Sequence, residues 1–293
     1  MKRIFEKFLS EKFRGRTERI TIGIAIVSFL VHLLVIFLAS KDIIHINSKL
    51  TKSPISAVYT PFSFILVYEV FLLVFYLPRS ISSYIGKQYE IITLIVIRRI
   101  FKDIGNLELS TAWFKLDPDL QFTYDMITAL VLFFLIQQFY RKIGKQSGEE
   151  SVVSPEGQVR MNEFIRLKKG IATVLVPVLI VLAVYSFTSW VVVSVRDHWD
   201  DISTFKNINN IFFEDFFMLL IIIDVILLLF SLFYFDSFHT IIRNSGFVIS
   251  TILIKLSFSV EGVINNVLIV SAVLFGYLIL YIHNSYKKNP VSG

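Results

Sequence analysis

The chain has 293 residues, of which 55% are hydrophobic and only 18% are charged. Soluble domains carry about 25% charged residues, and several apolar runs here approach the roughly 20 residues that cross a hydrocarbon core. These values exclude an ordinary soluble protein and predict an all-α polytopic membrane protein. The net charge of +6 does not indicate nucleic-acid binding, because the basic residues lie just outside the apolar runs. The absence of cysteine excludes disulfides and thiolate metal sites.

The N-terminal segment 1–19 combines seven basic residues with Phe5, Phe8, Leu9 and Phe13 on one helical face. That pattern is typical of an amphipathic helix lying in the membrane interface. The apolar run that follows, 20–39, is too long for the apolar region of a cleavable signal and predicts a retained first span.

Seven apolar runs predict transmembrane helices directly: 20–39, 58–77, 122–140, 171–194, 211–235, 239–259 and 263–283. The stretch 81–101 is the eighth candidate, although polar and charged residues such as Lys87 and Glu90 lie within it. Residues 91–97 are apolar in every direction around a helix, whereas an interfacial helix has one polar face. We therefore interpret 81–101 as a short span, which gives about eight transmembrane helices, or seven if it does not cross.

The distribution of basic residues favours the eight-span topology with both termini cytoplasmic. In that arrangement the cytoplasmic segments contain 19 lysines and arginines and the exterior segments contain 9. With seven spans every loop after 81–101 changes sides, and the cytoplasmic segments then contain 15 lysines and arginines and the exterior segments 13. Cytoplasmic loops carry an excess of Lys and Arg in membrane proteins, so the first arrangement is preferred.

The chain divides into five segments. The interfacial helix 1–19 is followed by spans 1–4 within 20–144, a flexible basic cytoplasmic linker at 145–169, spans 5–8 within 170–284 and a tail at 285–293. The linker is assigned from its Ser, Gly, Glu and Pro content. Glu261 and Gly262 alone join the last two spans, which predicts a tight helical hairpin.

Three ionisable residues lie near the predicted bilayer midplane: His32, Glu69 and Asp224. At about 1.5 Å per residue, His32 is roughly 18 Å from the cytoplasmic end of its predicted span, and Glu69 and Asp224 are roughly 16 and 20 Å from the exterior ends of theirs. A charge at that depth costs about 2.5–3.5 kcal/mol on insertion scales. The two carboxylates have no obvious cationic partner at their own depth, and His32 could hydrogen-bond to either. We predict a proton or cation path past these residues; the alternative is that they are hydrogen-bonded groups that hold helices together.

Other charged residues near the predicted span ends are secondary candidates: Glu90, Arg98, Arg99 and Lys255. The loop residues Asp197, His198, Asp200 and Asp201 form a weak candidate for a divalent metal site. Their spacing matches no recognised metal-binding loop, so a solvated loop is the preferred interpretation. Asp125 lies at the start of a predicted span, where it would complement the helix N-terminus, and Asn265 and Asn266 are predicted to hydrogen-bond between helices.

The sequence contains no HExxH motif, no phosphate-binding glycine loop and no serine nucleophile elbow, so we expect neither an enzyme nor a cofactor. The leading hypothesis is a channel or carrier for protons or a small cation. The alternative is a non-transporting scaffold or subunit that binds proteins or anionic lipid through its basic cytoplasmic ends. A homo-oligomer is compatible with both. Short loops with a positive-inside bias suggest the bacterial inner membrane.

Overall fold

The computed structural model describes residues 10–41, 57–104, 117–144, 155–196, 203–234, 238–260 and 262–288. These ranges are all-α and contain no strand. They hold eight helices: α1 (Glu11–Ser40), α2 (Tyr59–Tyr76), α3 (Ile81–Ile104), α4 (Asp117–Gly144), α5 (Pro155–Arg196), α6 (Ser203–Tyr234), α7 (Phe238–Ser257) and α8 (Val263–Lys288).

Three helices in the described ranges are long and apolar enough to cross a membrane: Glu11–Ser40, Asp119–Gly144 and Val263–Tyr286. Val67–Tyr76 and Met218–Tyr234 are apolar but shorter. Large apolar side chains point outward from several helices, and Phe233 is 80% exposed. An outward apolar surface is what a lipid-facing helix presents. The prediction of an all-α chain with helices able to cross a membrane is confirmed, while the count of eight spans stays a prediction.

α1 includes part of the segment predicted to be a separate interfacial helix. Its N-cap is Ser10, whose Oγ accepts a hydrogen bond from the Phe13 amide at 3.2 Å. The helix then continues without a break into the first apolar run, because no proline intervenes and a single glycine does not end a helix. The Phe13 ring lies 5.9 Å from the Phe71 ring of α2. The structure therefore joins 11–19 to the first span, and residues 1–9 lie outside the described ranges.

α3 covers the ambiguous stretch 81–101 as one continuous helix. Its central residues Ile91, Ile92 and Val96 are buried against the rest of the protein. Leu94, Ile95 and Ile97 of the same stretch are half-buried. Burial therefore accounts for part of the apolar pattern, and the crossing of the membrane by 81–101 stays a prediction. α3 is not among the three helices apolar enough to cross a membrane.

The chain forms two compact units, and both contain pieces from either side of the predicted linker. The first unit comprises 1–72, 97–123 and 173–217, and the second comprises 73–96, 124–172 and 218–293. Of the predicted linker, 155–169 is helical and continuous with α5, whereas 145–154 lies outside the described residues. The run from Arg160 to Lys169 contains no glycine or proline and many good helix formers, which explains the difference.

The second unit has an aromatic core. The Tyr89 ring packs edge-on against Phe139 with centroids 5.1 Å apart, and Phe139 packs in the same way against Phe247 at 5.9 Å. Tyr89 Oη lies 2.8 Å from Ser250 Oγ, whose hydroxyl donates to the Ala272 carbonyl at 2.7 Å. These contacts join α3, α4, α7 and α8.

α7 and α8 form the predicted hairpin, and Gly262 adopts a φ of 72° at the turn. That left-handed conformation favours glycine, which has no Cβ to clash with the backbone. Asn265 Nδ2 donates to the carbonyls of Ser257 and Val260, at 2.5 and 3.3 Å. The neighbouring Asn266 Nδ2 donates to Asp125 Oδ1 on α4 at 2.7 Å, which confirms its predicted role between helices.

The environment of Asp125 differs from the prediction. α4 begins at Asp117, so Asp125 lies two turns inside the helix rather than in its first turn. Its side chain is fully buried, and the amide of Asn266 supplies the hydrogen bond that a buried carboxylate needs. The prediction is wrong because the first turns of α4, before residue 122, are mostly polar, so the start of the apolar run does not mark the start of the helix.

Candidate functional site: a buried polar network around Asp224

Asp224 lies in the apolar sequence of α6 and is only 4% exposed. Its Oδ2 accepts a hydrogen bond from Gln88 Nε2 on α3 at 3.1 Å. Gln88 Oε1 in turn accepts a hydrogen bond from Thr251 Oγ1 on α7 at 2.9 Å. Gln88 and Thr251 are also buried. Because a buried polar group without a partner is costly, this chain of bonds lets three helices of the second unit enclose a carboxyl group.

A small cavity adjoins Asp224 within the second unit. The cavity has a volume of about 20 Å³, which is room for about one water. The polar residues that line it are Tyr84, Lys168, Asp224 and Asn244, and the remaining lining residues are apolar. The cavity therefore places a carboxyl group and an amine around a space of molecular-water size.

Lys168 of α5 is a functional candidate that sequence analysis missed. It is only 3% exposed. Its ammonium donates to the Arg79 carbonyl at 2.5 Å and lies 5.3 Å from the centre of the Phe164 ring. Burial and, to a smaller extent, the positive charge of Arg243 lower the pKa of Lys168 to about 8, and Asp224 opposes the shift. Asp224 therefore has a cationic neighbour, contrary to the prediction, which had assigned Lys168 to a flexible linker.

A second polar group lies at the end of the α7–α8 hairpin opposite Gly262. It consists of Arg243, Asn244, His239 and His283, and we call it the Arg243 cluster. Arg243 Nη1 lies 3.2 Å from His283 Nε2, and the two histidine rings are 5.2 Å apart. Asn244 Nδ2 donates to Ser231 Oγ of α6 at 3.3 Å. Asn244 also lines the Asp224 cavity, so the cluster adjoins that site.

Glu90 is held in a local ion pair. Its Oε2 lies 2.5 Å from Lys87 Nζ, and its Oε1 accepts a hydrogen bond from Tyr140 at 2.6 Å. Lys87 Nζ also lies 5.1 Å from the centre of the Tyr76 ring. The ion pair and the hydrogen bond stabilise the negative charge of Glu90 at this half-buried position in the second unit.

His32 and Glu69 belong to the first unit, whereas Asp224 belongs to the second. His32 Nδ1 lies 2.6 Å from Thr60 Oγ1 of α2. Glu69 is half-buried on α2. Two candidates thus lie in the first unit and one in the second, and a single path past all three stays a prediction.

The remaining predicted residues have less distinctive environments. Arg98 and Arg99 are half-buried in the last turns of α3, and Lys255 is half-buried in the last turn of α7. The candidate metal cluster Asp197, His198, Asp200 and Asp201 lies outside the described residues. Within the described ranges, no group of three or more histidine, aspartate or glutamate side chains could hold a metal ion.

Comparisons with protein-family models, with curated proteins and with solved structures found no match to this chain.

Proposed function

We propose that this chain is a membrane transport protein that moves protons past Asp224. The observation that carries the proposal is the cavity in which Asp224 and Lys168 face a space for about one water. A carboxyl group, an amine and a bridging water are the components of a proton relay. Intramembrane carboxylates in pumps and transporters commonly serve this purpose.

The same cavity favours a proton over a metal cation as the transported species. A hydrated cation is larger than the space, and a dehydrated one would need several oxygen ligands. Lys168 also places a positive charge in the cavity when it is protonated, which repels a cation. A proton can instead pass between the carboxyl group, the water and the amine without an ion occupying the space.

Flux in proteoliposomes tests the proposal. With a pH-sensitive dye inside and an imposed proton gradient, we expect Asp224→Asn to reduce flux by about 100-fold or to the baseline, because a relay group is lost. Asp125→Asn is the matched control, since Asp125 is an equally buried carboxylate of the second unit and should be dispensable. Equal flux in wild type and Asp224→Asn would contradict the proposal. A wild type without flux under either gradient direction would favour the scaffold hypothesis.

We further propose eight spans with both termini cytoplasmic in a bacterial inner membrane. The support is the bias in lysine and arginine between the two sides. Since the chain has no cysteine, single introduced cysteines report the location of a loop without background.

We expect a membrane-impermeant maleimide added to intact cells to label Leu107→Cys and not Glu150→Cys. The seven-span alternative predicts the opposite result at both positions, because the loops after 81–101 invert. Labelling of both cysteines after the cells are permeabilised is the control for reactivity.

A further inference from the structure

The hydrogen bonds of Arg243 determine the protonation state of its neighbour. Arg243 Nη1 contacts His283 Nε2 at 3.2 Å, and His283 Nδ1 contacts the His239 carbonyl at 3.1 Å. A guanidinium only donates and a carbonyl only accepts. His283 must therefore accept at Nε2 and donate from Nδ1, which is the neutral form of the ring. Arg243 Nε and Nη2 donate to Asn244 Oδ1, at 3.2 and 3.1 Å. Its side-chain hydrogen-bond partners are thus neutral groups, so its charge is not balanced by them.

Among the described residues, no carboxylate pairs with the positive charge of the Arg243 cluster. In the described part of the chain, neither Arg243 nor Lys168 forms an ion pair with a carboxylate. Lys142 is nearby, since its carbonyl accepts a hydrogen bond from Asn284, the residue after His283. A guanidinium carries five N–H donors, and the bonds to Asn244 and His283 use three. Within the described ranges, Arg243 thus retains two donors and a charge that no carboxylate pairs with, which is the chemistry that binds a phosphate group.

Exposed apolar side chains lie beside the cluster. Phe238, Ile242 and Ile282 are each adjacent in sequence to a member of the cluster, and all three are exposed. Phe238, the first residue of α7, is 75% exposed. A site for a soluble anion would normally be surrounded by polar groups, whereas a phosphate carried on acyl chains needs an apolar surface beside its charged contact. Basic pockets between transmembrane helices bind anionic lipid headgroups in this way.

We propose that the Arg243 cluster binds the phosphate of an anionic phospholipid at the end of the α7–α8 hairpin opposite Gly262. Arg243 contacts the phosphate through its two remaining donors, and His239 lies beside it. The acyl chains pack on the apolar side chains around Phe238. This site is separate from the proposed proton transport and does not depend on it.

Native mass spectrometry and thermal unfolding test the site. The full chain is reconstituted in phosphatidylcholine alone or in equal parts of phosphatidylcholine and phosphatidylglycerol. We expect wild type to retain bound phosphatidylglycerol and to unfold at a higher temperature in the mixture. Arg243→Gln should weaken retention by about tenfold, because a charge-assisted hydrogen bond is lost. Arg243→Lys should be intermediate, since it keeps the charge and loses the planar donor pair.

Arg160→Gln is the control, because Arg160 is an exposed arginine on α5 of the same unit and should leave retention unchanged. His239→Gln gives an independent test if Arg243→Gln does not fold, and should also weaken retention. Equal retention by wild type and both cluster variants would overturn the proposal. If inorganic phosphate stabilises the protein in phosphatidylcholine as well as phosphatidylglycerol does, the site binds a free anion and the lipid assignment is wrong.

Discussion

Gly276→Ala is expected to destabilise the folded protein by about 3 kcal/mol, near the upper end of the usual range for overpacking a core. A Cβ at this position would lie 1.7 Å from Tyr89 Oη and 3.1 Å from Ser250 Oγ. The Tyr89 side chain cannot move aside easily, because it is fully buried, packs on Phe139 and is hydrogen-bonded to Ser250. The gain in helix propensity from alanine, about 1 kcal/mol, is smaller than this clash.

Thermal unfolding in detergent, followed by circular dichroism, measures the effect. Gly23→Ala is the matched control, since nothing lies within 4 Å of the Cβ that it would add to another apolar helix. Tyr89→Phe removes the hydroxyl oxygen, which is the atom nearest to the added Cβ. We expect it to destabilise the wild-type protein, and to destabilise the Gly276→Ala protein less or to stabilise it. Additive effects of the two substitutions would contradict the proposed contact.

Raising the pH from 8 to 10.5 is expected to stabilise wild type relative to Lys168→Met by about 3 kcal/mol. Burial lowers the pKa of Lys168 from 10.5 to about 8 in the folded protein. Below pH 8 both folded and unfolded chains hold the proton, so the penalty for burying the ammonium is constant. Between pH 8 and 10.5 the unfolded chain still binds a proton that the folded chain has released, and stability therefore rises with pH.

The measurement is the unfolding temperature of each variant across this pH range. The adjacent Lys169 is exposed, so Lys169→Met should keep the wild-type pH dependence. Lys168→Met also loses the hydrogen bond to the Arg79 carbonyl, which lowers its stability by a similar amount at every pH, so the test is the difference in slope between the two curves. Parallel curves for wild type and Lys168→Met would show that the ammonium of Lys168 is not buried in the folded state.

The helices of this protein are largely predictable from its sequence, because long apolar runs leave few alternatives. The segment 155–169 was the main error, and the local composition of 145–159 was responsible for it. A periodic signal was nevertheless present: Phe164, Lys168, Ala172 and Leu175 recur at helical spacing, and all four are buried. A lysine in register with an apolar stripe is a candidate for burial, and this pattern identifies Lys168.

Asp224 could be predicted as a site because a carboxylate within an apolar run is conspicuous. Its hydrogen-bond partners could not be predicted, because they are distant in sequence. Gln88 is 136 residues from Asp224, and Thr251 is 163 residues from Gln88. Nothing in the local sequence of α3 distinguishes Gln88 from a polar residue at a span end. Only the packing of α3 beside α6 and α7 brings these groups together.

The α7–α8 hairpin also has a consequence for how the protein enters a bilayer. Asn265 bonds to the carbonyls of Ser257 and Val260, Ser250 bonds to that of Ala272, and His283 bonds to that of His239. Each of these polar side chains finds a partner within the hairpin itself. Since an unsatisfied polar group costs several kcal/mol in hydrocarbon, a pair of helices that leaves the translocon together carries these groups into lipid already paired. In the proposed eight-span arrangement, the hairpin is thus suited to insert as one body, before its contacts with the other helices form.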